Sequence, residues 1–212
     1  MAQPHLSPRK LPMQARAQAT RNAIVEAAAQ VIEAGGLDAF NTNTVAERAG
    51  VSIGSLYQYF PNKDSIMAEL IRHTQEQRIA ALARTLNEPH ATLPDLIRAI
   101  VRSVNEQHRN HSLLAAAIDY EEARLPVQEE IDGFLAISGH ALRAVFGRFP
   151  VELADINPDR AARTLPALVR SVVDSWANLV PPQPEIAEDE AVRAICGYLG
   201  LVHSDGVFPL HS

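Results

Sequence analysis

The run Thr42-Asn43-Thr44-Val45-Ala46-Glu47-Arg48-Ala49-Gly50-Val51-Ser52-Ile53-Gly54-Ser55-Leu56-Tyr57-Gln58-Tyr59-Phe60-Pro61-Asn62-Lys63 limits what this chain can become more than any other stretch. It reads as two short helices, a tight turn and the start of a longer helix. Val45, Ala46 and Ala49 form one apolar face, and the Thr42 hydroxyl is placed to cap that helix by accepting a first-turn N–H. Gly50 stands where a helix ends in a left-handed residue, at little cost to glycine. Val51 is a core residue between the helices, and Ser52 is the cap of the second. Two helices flanking a turn of about three residues have helix-turn-helix spacing.

In the second helix Leu56 and Phe60 stand four apart and must face inward with Ile53 or its neighbours. Ser55, Gln58 and Tyr59 are then directed outward, with Tyr57 at the margin. Hydroxyls and an amide on a short exposed face suit DNA edges and phosphates better than a protein core. Gly54 lets the backbone come close to a phosphate. Pro61 ends the helix, and Asn62 caps the next one, placing Lys63 in a first turn where the helix dipole disfavours a cation. A phosphate bound jointly by that terminus and Lys63 removes the conflict; otherwise Lys63 is a solvated surface lysine.

Charge distribution agrees with one DNA-facing end. The whole chain carries −6, yet residues 1–63 hold six Lys/Arg against four acids. An all-helical fold follows from abundant Ala and Leu, few aromatics and no strand-type alternation. Cys196 is the only cysteine, which excludes an intrachain disulfide and fits a reducing compartment. No apolar run approaches the ~20 residues that span a bilayer, and no apolar segment follows the N-terminal charges as in a secretory signal. The expectation is a cytoplasmic protein with no membrane partner.

Residues 1–13 read as a disordered basic arm, with Arg9 and Lys10 among prolines. It is either an inert tail or an arm that follows a DNA groove. A helix is expected over 14–34, with Ile24, Ala27, Ala28, Val31 and Ile32 on one face, stopped by Gly35-Gly36; Leu37 and Phe40 follow as core plugs.

Residues 45–63 follow, nearly residue for residue, the pattern of the TetR family of transcriptional regulators, and the resemblance covers about 14–70. Beyond that it is one of architecture only. It implies a three-helix DNA-binding domain (14–62) joined to a helical ligand-binding and dimerisation domain (63–212). It also implies a homodimeric repressor that leaves its palindromic operator when a small-molecule effector binds, with no cofactor, metal or catalytic residue. By position, Thr42 and Asn43 match family positions near the DNA backbone. Ser52 and Gly54 lie at the start of the recognition helix, Ser55, Tyr57, Gln58 and Tyr59 along it, and Lys63 matches the phosphate-contacting lysine. Gln58 is the candidate base reader, because its amide pairs bidentately with adenine; Tyr57 and Tyr59 are assigned to phosphates.

The second domain is expected to hold helices over 63–87, 93–109, 111–124, 126–148, 157–180 and 185–201. The first belongs to both domains and is the natural lever for a switch. Pro166 should kink or divide its helix, and residues 181–184 should not be helical. Helices between 63 and 148 should enclose the effector site, with His108, His111, Tyr120, Phe134, Ile137 and His140 as candidate lining residues. His108 and His111 have a metal-compatible spacing but no thiolate or clear carboxylate partner, so no metal is expected. Asp119, Glu121 and Glu122 read as a solvated acidic face, or else as a lure for a cationic compound. The last two helices carry Leu168, Val172, Trp176, Val192, Ile195 and Leu199. That apolar surface would be exposed on a monomer, and a four-helix bundle with a second copy would cover it; the alternative is burial within the single chain.

Two other functional classes compete. An enzyme with a helical N-terminal module lacks support, since the chain holds no Gly-rich phosphate loop, Gly-x-Ser-x-Gly elbow or zinc motif. A dimeric scaffold that no longer reads DNA is opposed by the outward Ser55, Gln58, Tyr59 and Lys63.

Overall fold

The computed structural model describes residues 13–110, 112–150, 153–177 and 183–201. The arm over 1–12, His111 and Pro181-Pro182 lie outside the described residues, as do the side chains of His108 and Phe134. All regular structure among the described residues is helical, in two compact units that meet in sequence at Leu70 and Ile71.

The first unit contains α1 (Met13–Ala39), α2 (Thr42–Ala49), α3 (Ile53–Tyr59) and the opening turns of α4 (Lys63–Asn87). Glycine punctuates α1 as its sequence requires. The assigned helix continues to Ala39, but Gly36 breaks it with φ 67° and ψ −167°, a region open essentially to glycine alone. Ile24, Ala27, Ala28, Val31 and Ile32 are all buried, as their spacing predicts, and so is Phe40; Leu37 is only half-buried. Ile66, Met67 and Leu70 of α4 are buried as well. The compact unit therefore runs past the expected domain boundary at 62, because these side chains need a core that α4 alone cannot supply.

The second unit contains the rest of α4, then α5 (Leu93–Asn110), α6 (Ser112–Arg124), α7 (Gln128–Arg148), α8 (Pro158–Ala177) and α9 (Pro184–Tyr198). Its main core joins Leu96, Ile97 and Val101 of α5 to Val145 of α7, Val169 and Val173 of α8, and Val192, Ile195 and Cys196 of α9. Polar contacts reinforce the α5–α9 pairing. Arg98 donates to Asp189 at 2.9 Å, Arg102 to Glu188 at 3.0 Å, and the buried Asn105 amide to the Pro184 carbonyl at 2.7 Å.

One expectation about proline needs correcting, and one of two alternatives for another proline is removed. Pro184 is the first residue of α9, since a first turn needs no N–H from that position. Pro166 does not divide its helix: α8 is assigned continuously around it. At its other end α8 starts as its sequence suggests, with Asn157 Oδ1 accepting from the N–H groups of Asp159 and Arg160 at 3.0 Å each.

The apolar faces of α8 and α9 divide between the two alternatives for their burial. Val192, Ile195 and Leu199 are already buried within the single chain, so α5 and α8 provide the cover expected from a second copy. Leu168, Val172 and Trp176 remain half-buried. Burial also raises the Cys196 thiol pKa, against a smaller opposing effect from Arg98, which keeps the group a protonated core residue.

Candidate nucleic-acid interface

The helix-turn-helix is assembled by local hydrogen bonds. Asn41, not Thr42, caps α2: its Oδ1 accepts from the Thr44 N–H at 3.0 Å. Asn41 and Thr42 are both capping residue types, and the cap lies one position earlier than expected. Thr42 is thereby freed, and its hydroxyl lies 3.2 Å from the Tyr57 hydroxyl on α3. Gly50 closes α2 in the left-handed region, φ 67° and ψ 29°, with its N–H turned back to the helix. Ser52 then caps α3, accepting from the Ser55 N–H at 3.1 Å, while the two serine hydroxyls meet at 2.9 Å.

One face of α3 is anchored and the other is open. Leu56 and Phe60 are buried. Ile53, expected itself or through a neighbour to join them, is 38% exposed at the start of the helix. Gln58 is exposed and Ser55 and Tyr59 are half-buried; Tyr57, expected at the margin, is 49% exposed and reaches out to Thr42. Asn43 and Ser52 are exposed too. At Gly54 an added Cβ would meet only the Ser52 Oγ, at 4.0 Å, so packing within the chain does not require glycine there.

Asn62 caps α4 as expected, with its Oδ1 accepting from the Ser65 N–H at 2.8 Å and its own N–H donating to the Ser65 Oγ at 3.3 Å. Lys63 is exposed in the first turn, its ammonium 5.2 Å from the centre of the Phe40 ring. That contact steadies the stem and leaves hydrogen-bonding capacity on the ammonium. Along the capped helices α2, α3 and the start of α4, the structure thus carries a pair of hydroxyls (Thr42 and Tyr57), an exposed amide (Gln58) and an exposed ammonium (Lys63). Such donors and acceptors can address phosphate oxygens and base edges.

The candidate effector residues are less concentrated. Tyr120 is 63% exposed, Ile137 is 49% exposed and His140 is exposed. The acids on α6 are not a solvated face, since Glu121 is 5% exposed and Glu122 is held inside by Gln75, whose amide donates to it at 2.7 Å. Arg124 pairs with Glu121 at 2.6 Å, and Arg170 with Asp119 at 3.3 Å. Arg78, beside this group, has its pKa lowered by burial and by nearby Arg170. Sequence reasoning missed Gln75 and Arg78; a Gln and an Arg three apart on one helix face were the available signal.

Comparison with known proteins agrees with this architecture. Residues 24–70 match the family described as bacterial regulatory proteins, tetR family, and residues 92–199 match the tetracyclin repressor-like C-terminal domain. The chain is 26% identical over 182 residues to an HTH-type transcriptional regulator of Mycobacterium bovis, covering 82% of this chain and 90% of the other. It is 25% identical over 113 residues to the fatty acid metabolism regulator protein of Bacillus subtilis, covering 53% of this chain and 58% of that protein. The match therefore spans little more than half of that relative. The crystal structure of the regulator FadR from Bacillus subtilis in complex with stearoyl-CoA shares the fold, with TM-score 0.60, 21% identity and coverage of 85% of this chain and 96% of that one. No helix among the described residues is long and apolar enough to cross a membrane. With both its head and its second unit matched, the chain belongs to the TetR family of DNA-binding transcriptional regulators.

Proposed function

We propose that this regulator is a homodimeric repressor that binds a palindromic operator in the cytoplasm and releases it when a small-molecule effector occupies the second unit. The observation that carries the DNA-reading part is the open face of α3, where Gln58 is exposed beside the Thr42–Tyr57 hydroxyl pair. In this reading Gln58 contacts a base, and Thr42, Asn43, Ser52, Ser55, Tyr57, Tyr59 and Lys63 hold the phosphate backbone. Two copies would place their reading helices in major grooves about 34–36 Å apart. Of the expected interface residues, half-buried Leu168, Val172 and Trp176 on α8 are those left for the second copy. That the FadR neighbour was solved in complex with stearoyl-CoA supports a small-molecule effector. In this reading it binds the second unit, with His108, His111, Tyr120, Phe134, Ile137 and His140 as candidates to meet it. Because α4 contributes residues to both units, its displacement is the proposed route from effector to DNA.

Selection of bound duplexes from a random pool tests the function directly, and a two-fold symmetric site is the expected product. On that site Gln58→Ala should relax preference at one base pair of each half-site by roughly 1–3 kcal/mol. Lys63→Ala should weaken binding to every sequence and flatten the dependence of log K on log salt by about one phosphate contact. If base preference survives at every position, Gln58 is a surface residue only.

Gly54→Ala separates stability from recognition. The space around Gly54 admits a methyl group, so the substitution should stabilise the fold by up to about 1 kcal/mol through lower unfolded-state entropy. It should nonetheless weaken DNA binding, because the methyl keeps a phosphate away from the α3 terminus. Denaturant titration and binding measured on one preparation will show whether the two quantities move in opposite directions.

A further inference from the structure

We propose that Arg21 is a positioning residue for DNA reading, tying the end of α3 to α4 and so setting the direction in which Gln58 is offered. This role rests on the DNA-reading function proposed above. The need for it comes from helix length. Seven residues make about two turns, too few for α3 to be stable or to hold a direction unaided. Its orientation must come from whatever grips its ends.

The N-terminal end is gripped locally by Ser52, and the C-terminal end closes on Phe60, whose ring is buried. Arg21 of α1 lays its guanidinium against that ring, 5.7 Å from the centre. Its Nη2 donates to Glu69 Oε2 of α4 at 2.9 Å, across 48 residues of sequence. One side chain on α1 therefore touches the residue that ends α3 and the second turn of α4, all within the first compact unit.

Stability does not explain this arrangement. The Arg21 side chain is 43% exposed, so its ion pair with Glu69 adds little. Its enclosed Nε has no acceptor among the described residues, a desolvation cost that an apolar side chain of similar length would avoid. What a guanidinium adds is direction. Its charge sits over the Phe60 ring while one of its N–H groups donates to Glu69, so one side chain addresses both the ring and the carboxylate. A swing of the Phe60 end of α3 would move Gln58, two residues earlier, away from the geometry that a bidentate base contact needs.

The test uses the full chain with Arg21→Met, Glu69→Gln and the double variant, measured by anisotropy on a duplex selected by the wild type and on a scrambled duplex. Arg21→Met should lower the preference for the selected duplex about tenfold, the scale of one disturbed base contact. The salt slope should not change, because no phosphate contact is lost. The double variant should lose no more than Arg21→Met alone, as expected for two groups acting through one joint. Arg21→Lys, which keeps the charge without the fork, gives the same comparison if Arg21→Met does not fold. An unchanged preference with a lowered melting temperature would reduce Arg21 to a structural residue. A salt slope smaller by about one would make it a phosphate contact, and additive losses would separate it from Glu69; each result overturns the proposal. A wild-type chain that selects no duplex overturns the DNA-reading function, and this role with it.

Discussion

Replacing Phe60 by Ala is expected to destabilise the first unit by about 3–5 kcal/mol. The ring is buried, it closes the C-terminal end of α3, and it is the surface on which the Arg21 guanidinium lies. Removing it leaves a cavity and takes away the tertiary hold on a helix too short to persist alone. A change of this size is a large share of the total stability of a small unit. Operator binding should therefore fall together with helix content, and both should be read on one urea titration. If binding is lost while the unfolding midpoint stays put, Phe60 does not hold the helix in the way its burial indicates.

Leu96→Ala should cost about 2–5 kcal/mol in the second unit. Leu96 is fully buried, in a cluster shared by α5, α7, α8 and α9. A cavity there is bordered by several helices and cannot close by moving one of them, which places the expected loss toward the upper part of the range. The measurement is the shift in urea midpoint at constant m-value. Tyr120→Ala is the matching control, since that side chain is 63% exposed and its loss should stay within about 0.5 kcal/mol. A Leu96 variant no less stable than the Tyr120 variant would contradict the core assigned to this unit.

Much of the reading head is legible in the amino-acid sequence, because its signals act over three or four residues. Ser52, Asn62 and Gly50 make the caps expected of them, and α4 runs over Lys63–Asn87 as its apolar spacing predicts. Spacing misleads where two adjacent residues can perform one local task, or where a proline is weighed without its position in the helix. Asn41 takes the cap expected of Thr42, and Pro184 opens the helix it was expected to exclude. In the second unit Asp119 and Glu122 of α6 look solvated in sequence, because their partners Arg170 and Gln75 lie dozens of residues away.

By itself, then, the sequence determined the helical class, the helix-turn-helix and, apart from the cap of α2, the residues that cap, end and anchor its helices. Each depends on backbone groups and side chains within a turn or two of one another, where spacing alone specifies the contact. Only the tertiary structure decided that Thr42 meets Tyr57, that Arg21 spans Phe60 and Glu69, and that α5 and α8 cover Val192, Ile195 and Leu199. Those contacts depend on which helix faces come together. An apolar stripe states that it must be buried without stating against what.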